Sequence, residues 1–260
     1  MAYEFITTET DGPAFVLTLN RPDKRNAMSI ATMAEMIAAA KEGEADDAVS
    51  AVILTGGSDF FSAGADLNDA LAVQGAADGI DYFSNFHRLA NAFETLKKPV
   101  IAAIEGFCMT GGCEIALACD IRIAGKGASF AVTSARIGTV AGAGGTVRLP
   151  RIVGPAKALE ILFSAEPIDA DEAYHIGLIN RLVDKGGAIA EAKSLAALYA
   201  TRAPMSLQLA KRAVYRGLQM DMDSALEFET MLVSLIYGTE DRKEGISAFL
   251  EKRTAEFKGK

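Results

Sequence analysis

Phe107, Cys108, Met109, Thr110, Gly111, Gly112, Cys113 and Glu114 set bare backbone amides beside a carboxylate where an apolar strand gives way to a helix. Glycines allow tight turning and let a ligand approach the main chain with no Cβ in the way. Val100 to Ile104 reads as a buried strand and Glu114 to Ala118 as a helix, so the glycines fall at a helix N-terminus. Unpaired N–H donors and the positive dipole end there favour an oxygen that gains negative charge. Glu114 stands on the first turn, next to whatever those amides hold, and burial raises a carboxyl pKa so that it exchanges protons nearer neutrality. The pattern suits enolate chemistry, although a glycine turn that merely starts a packed helix, with Glu114 capping it, would use the same residues.

A second segment supports the chemical reading. Ala51 to Thr55 is a short apolar strand followed by Gly56, Gly57 and the run Ser62, Ala63, Gly64, Ala65, Asp66, Leu67. Two small-residue turns from different strands can aim one amide each at a single point, which is the arrangement an oxyanion hole requires.

Taken together, the chain resembles the crotonase family, the enoyl-CoA hydratase/isomerase superfamily, over nearly its whole length. The matching pieces are LNRPDKRNAMS at 19–29, FFSAGADL at 60–67, KPVIAAIEGFCMTGGCEIALACDIRIA at 98–124, GTVAGAGGTVRLPRIVG at 138–154, AYHIGLINRLV at 173–183 and DRKEGISAFLEKR at 241–253. Several ordered motifs at suitable spacing are specific where each alone is not.

The resemblance implies an acyl-CoA thioester as substrate, with coenzyme A entering as part of it, no further cofactor and no metal. It maps the oxyanion hole onto the N–H groups of Ala65 and Gly111, and a proton-transferring carboxylate onto Glu114. Losing one such donor costs about 2.7–4 kcal/mol in other enzymes. Family hydratases carry a second glutamate in a segment that reads FGxPE, and here the corresponding run is Phe130 to Ser134, so the second position is Ser134. General acid–base catalysis is worth about 10² to 10⁴ in rate, and a hydroxyl does not replace a carboxylate in that role.

Three consequences stay open at this level. Glu114 handles both proton movements in a hydratase or isomerase; another group such as Tyr237 or an Asp of 68–81 supplies the acid; or the chemistry is thioester hydrolysis, decarboxylation or C–C cleavage. An inactive acyl-CoA-binding paralogue is a further reading. Enoyl-CoA hydration is the leading expectation. For coenzyme A, the resemblance points to Lys24 and Arg25 near the phosphates and adenine, the main chain at Ala27, Ala63, Asp66 and Leu67, and Lys252 near the C-terminus.

Composition narrows the partners. The 260 residues carry a formal charge of −8, which argues against nucleic acid, since backbone binding needs a basic face. Half the residues are hydrophobic, yet no uninterrupted apolar run reaches membrane-spanning length. MAYEFITTETDG lacks the features of a secretory or transit peptide, so a cytoplasmic location is expected. Cys108, Cys113 and Cys119 sit in apolar context without metal-ligand spacing and read as buried thiols. His87 and His175, the only two histidines, read as structural.

Short apolar strands at 4–7, 15–19, 51–55, 100–104 and 120–124, with helices at 30–41 and 83–96, imply an α/β core with crossover connections. The resemblance implies a crotonase-like spiral of ββα units with a helical C-terminal region. The expected division is a core of residues 1–200 that binds acyl-CoA and a helical oligomerisation region of 201–260. Helices are expected at 188–201, 204–219 and 223–237, packing between subunits of a homotrimer or a hexamer. Residues 70–81 read as a mobile loop beside the acyl pocket.

Overall fold

The computed structural model describes residues 3–260. In chain order its elements are β1 (Ile6–Asp11), β2 (Ala14–Leu19), α1 (Ile30–Ala45), β3 (Ala51–Thr55), α2 (Leu67–Ala72), α3 (Ala76–Thr95), β4 (Val100–Ile104), β5 (Phe107–Met109), α4 (Gly111–Ala116), β6 (Ile121–Gly125) and β7 (Ser129–Ala131). There follow α5 (Gly145–Val153), α6 (Pro155–Ser164), β8 (Ile168–Asp169), α7 (Ala170–His175), β9 (Arg181–Val183), α8 (Ala188–Ala200), α9 (Pro204–Gly217), α10 (Met222–Tyr237) and α11 (Glu240–Glu251). Short 3₁₀ turns at Pro22–Lys24 and Ser134–Ile137 complete the set.

Six strands form one sheet in the order β1-β2-β3-β4-β6-β9, parallel except for the β1–β2 hairpin. Three others form a second sheet, β5-β7-β8. Successive turns of the chain lay one strand in each sheet: β4 then β5, β6 then β7. The turn before them follows the same plan, with β3 in the large sheet and Ser62 bridging Cys108 of the small one. This is the spiral that the motifs implied, and it makes the chain α/β. β3 and β4 are buried along their whole length, which explains why they read as continuous apolar runs rather than as alternation. α8 covers one face of the large sheet with Ala188, Ala192, Leu195 and Ala196, while α1 and α3 cover the other with Met33, Met36, Leu89 and Phe93.

Two expectations need correction. β1 begins at Ile6 and extends to Asp11 rather than spanning 4–7. Most of 70–81 is helix, with α2 running to Ala72 and α3 starting at Ala76. The Asp66 side chain caps α2 by accepting from Asn68 N at 3.0 Å, a signal that the Ala- and Asp-rich composition obscures. Among the described residues no helix is long and apolar enough to cross a membrane.

α9 is tied to the core by a buried ion pair. Lys211 Nζ lies 2.8 Å from Asp120 Oδ2 and also donates to the carbonyl oxygens of Phe93 and Lys98. Burial pushes the Asp120 carboxyl up, and the Lys211 charge opposes that shift. Lys211→Met should therefore lower stability by about 3 kcal/mol, the lower end for breaking a buried pair, because Asp120 is already disposed to take up a proton. Urea unfolding at neutral pH measures it.

Candidate active site

The turn after β3 and the turn after β5 come within contact distance. A Cβ placed on Gly64 would sit 3.0 Å from Gly111 N, and one on Gly111 would sit 3.2 Å from Ala65 N. The amides of Ala65 and Gly111 are thus neighbours, and neither has an acceptor among the described residues. Gly64 has φ +106°, a conformation that L side chains rarely adopt, so it is glycine for both backbone and space.

Thr110 turns β5 into α4 with φ 44° and ψ −114°, an unusual conformation for a threonine. Its neighbours enforce it. Thr110 N donates to Ala131 O at 2.7 Å, the Thr110 and Thr133 hydroxyls are 2.7 Å apart, and Thr110 O accepts from Glu114 N at 2.8 Å. β7 thereby holds the turn that presents Gly111.

The other wall is fixed by the loop of residues 21–28. Met28 N donates to Gly64 O and Asp66 N to Met28 O, while Ala63 N donates to Arg25 O. Asn26 is buried with φ 56°; its side-chain amide donates to the carbonyls of Gly56 and Phe61, and its Oδ1 accepts from Arg21 N. Ser62 Oγ donates to Asn26 O at 2.7 Å and accepts from Gly64 N at 3.1 Å. Asp66 is paired with Arg21 at 2.9 Å. Burial alone would raise its carboxyl, but the Arg21 guanidinium and the donors of Asn68 outweigh that and hold it below the usual carboxylate range.

Glu114 is buried on α4, 2% exposed. Its Oε1 accepts from Ala143 N at 2.9 Å and from Gly145 N at 2.8 Å. Burial pushes the carboxyl up, and the two amides together with the charge of Arg148 hold it back without cancelling the shift. A Cβ on Gly145 would lie 2.8 Å from Glu114 Oε1, so the carboxylate needs the bare backbone there. Arg148 is itself paired with Glu94 at 2.6 Å.

Ser134 is buried at the start of the 3₁₀ turn that follows β7. It lies on the same connection that continues to Ala143 and Gly145. Arg136 points outward and pairs with Glu166 at 2.7 Å. The structure thus brings Ala65 and Gly111 together, with Glu114 three residues further along α4; Ala63, Asp66 and Leu67 continue from Ala65, and Lys24, Arg25 and Ala27 lie in the loop packed on that turn. Lys252, at the left-handed end of α11, has no hydrogen bond or ion pair to that loop among the described residues. Tyr237 stands exposed at the end of α10. Sequence reasoning missed the donors to Glu114, Ala143 and Gly145. Their signal was the run Gly142–Ala143–Gly144–Gly145, small residues where a carboxylate needs amides. The three cysteines are buried free thiols, and burial pushes Cys119 up to about 12.

A mostly parallel-stranded α/β spiral here carries two neighbouring amides without acceptors and a buried glutamate, and paired amides of that kind are able to hold an oxygen that gains negative charge. Residues 9–260 match the family model described as Enoyl-CoA hydratase/isomerase. The chain is 42% identical over 255 residues to the short-chain-enoyl-CoA hydratase of Clostridium acetobutylicum, with 96% of each chain covered. It is 39% identical to the crotonyl-CoA hydratase of Syntrophomonas wolfei, with 99% of each covered. The solved enoyl-CoA hydratase of Bacillus anthracis superposes with a TM-score of 0.93 at 34% identity, covering 99% of this chain and all of that one (100%). The protein belongs to the enoyl-CoA hydratase/isomerase family and has the crotonase fold.

The raised Glu114 carboxyl makes a stability prediction. The folded state holds that proton to higher pH than the unfolded chain does, so folding stability falls as pH rises from the unfolded pKa through the folded one. Glu114→Gln keeps an oxygen acceptor for both amides and removes the buried charge. It should unfold a few degrees higher than wild type at pH 8, with the gap closing as pH falls towards 4, as calorimetry across that range would record.

Proposed function

We propose that the protein adds water across the conjugated double bond of a 2-enoyl-CoA thioester, with Ala65 and Gly111 binding the thioester oxygen and Glu114 carrying the proton. The observation that supports this reading best is the convergence of two amides lacking acceptors beside one buried carboxylate. In the addition, Glu114 as carboxylate removes a proton from water while the water oxygen bonds to C3. The electron pair of the double bond moves onto the thioester carbonyl, giving an enolate whose oxygen lies between the two N–H groups. Glu114, now protonated, returns that proton to C2, so the carboxylate is regenerated and atoms balance with one acid–base residue. Its raised pKa shortens the free-energy gap between the two protonation states it must visit near neutrality.

Ser134, at the family's second carboxylate position, then shapes the pocket rather than transferring the proton. The same observation favours one alternative, a shift of the double bond from C3–C4 to C2–C3 in which Glu114 moves a proton from C2 to C4. That isomerisation also passes through an enolate and also needs a single carboxylate. The remaining assignments follow the same reading. Lys24, Arg25, Ala27, Ala63, Asp66 and Leu67 flank coenzyme A, with Lys252 as a further contact, and no cofactor is needed beyond the coenzyme A of the substrate. Residues 1–200 form the catalytic core. Residues 201–260, which expose Leu218, Met222, Leu235 and Phe249 on one chain, mediate a homotrimer or a hexamer. The free buried thiols agree with a reducing, cytoplasmic setting.

Crotonyl-CoA hydration, followed as loss of the conjugated thioester absorbance, tests the reading. Wild type should be active, Gly111→Pro, which deletes a donor, should abolish turnover, and Glu114→Gln should lower kcat by about 10² or more. Ser134→Glu should gain less than about tenfold, because Glu114 completes the cycle alone. A weak wild type with a gain of roughly 10² in Ser134→Glu would move the natural reaction from hydration to the isomerase alternative. Full activity in Gly111→Pro would overturn the oxyanion-hole assignment.

A further inference from the structure

Resting on the reading of Glu114 as the proton carrier, we propose that His87 is a positioning residue for that carboxylate, acting through the single peptide group between Gly142 and Ala143. His87 Nε2 lies 2.8 Å from Gly142 O. A carbonyl oxygen only accepts, so Nε2 carries the proton and the imidazole donates. The N–H of that same peptide unit belongs to Ala143, and it donates to Glu114 Oε1 at 2.9 Å. An unbroken line of donors therefore runs from imidazole to peptide to carboxylate.

Two physical effects follow from the shared peptide. The unit is planar, so fixing the direction of its oxygen fixes the direction of its N–H. Donation into the carbonyl also polarises the amide and strengthens it as a donor at the other end. Both effects act on the distance and angle at which Glu114 is held.

The loop needs such a hold. Between Gly138 and Gly145 it has glycine at 138, 142, 144 and 145, two of them with left-handed φ values of 72° and 109° at Gly138 and Gly144. Its other residues are small or β-branched, and the Thr146 hydroxyl of α5 reaches Ala141 O only at 3.4 Å. α3 grips it instead. A Cβ on Gly142 would sit 2.5 Å from the Phe83 ring, so Phe83 packs against the residue whose oxygen His87 holds. Phe83 and His87 are four residues apart and share one helix face. One side chain supplies contact and the other supplies direction.

His87 is exposed, so replacing it opens no cavity in the core. This separates positioning from folding. His87→Leu keeps bulk and removes the donor, whereas His87→Gln returns an N–H to nearly the same place. In the reaction the wild type performs on enoyl-CoA, His87→Leu should lower kcat about tenfold with KM changed less than twofold and an unchanged melting temperature. His87→Gln should recover most of the lost kcat. Wild-type kcat in His87→Leu would overturn the proposal. So would a loss that tracks lower melting temperature or that Gln leaves unrepaired. Glu114→Gln assayed alongside distinguishes the two levels of inference. If it is inactive while His87→Leu is fully active, only the role of His87 falls; if Glu114→Gln is fully active, the reading of Glu114 falls and takes His87 with it.

Discussion

Two peptide turns that belong to different layers of the spiral must touch backbone to backbone, and the rest of the site is organised around that contact. With a Cβ position on Gly64 only 3.0 Å from Gly111 N, any side chain there would push the turns apart. Gly112 is under the same limit against Ser62, where the corresponding distance is 2.7 Å. Bringing bare main chain together costs conformational entropy at each glycine. The compensating order comes from elsewhere: Asn26 and Ser62 tie the loop of residues 21–28 to one turn, and β7 ties the other through Ala131 and Thr133.

A second constraint is the burial of Glu114. An ionised carboxylate in an apolar setting is unfavourable, and the chain offsets part of that cost with two amides and a nearby guanidinium rather than with a direct ion pair. A direct pair would pin the carboxylate in its charged form. The arrangement observed keeps both protonation states accessible, which suits a group that must release and recapture a proton. Arg148, engaged by Glu94 at 2.6 Å, contributes field without contact.

How much of this was legible in the sequence depends on range. β3 and β4 could be read to the residue because buried parallel strands are uniformly apolar, and the glycines with Glu114 were readable because their types suit a local turn. β5, β7 and β8 were not readable. Each has three residues or fewer and is defined by pairing with a segment distant in sequence. The same reason hid Ala143 and Gly145, whose amides gain meaning only when α4 brings Glu114 against a loop about 30 residues later. α2 was taken for loop because its cap, Asp66, also serves the Arg21 ion pair and its small polar residues resemble a linker. The bond from His87 was hidden for the same reason, since its partner is a backbone oxygen 55 positions away.

The bent conformation of Thr110 has a consequence for how the molecule is made. Synthesis proceeds from the N-terminus, and Thr110 leaves the ribosome before Ala131 and Thr133 exist to hold it. Glu114 likewise precedes Ala143 and Gly145. For an interval the nascent chain has nothing to hold Thr110 in its bent conformation and no amides for the Glu114 side chain, beside strands that are already apolar enough to pair. Geometric completion of the candidate site thus waits until β7 and the loop beyond it have emerged and docked.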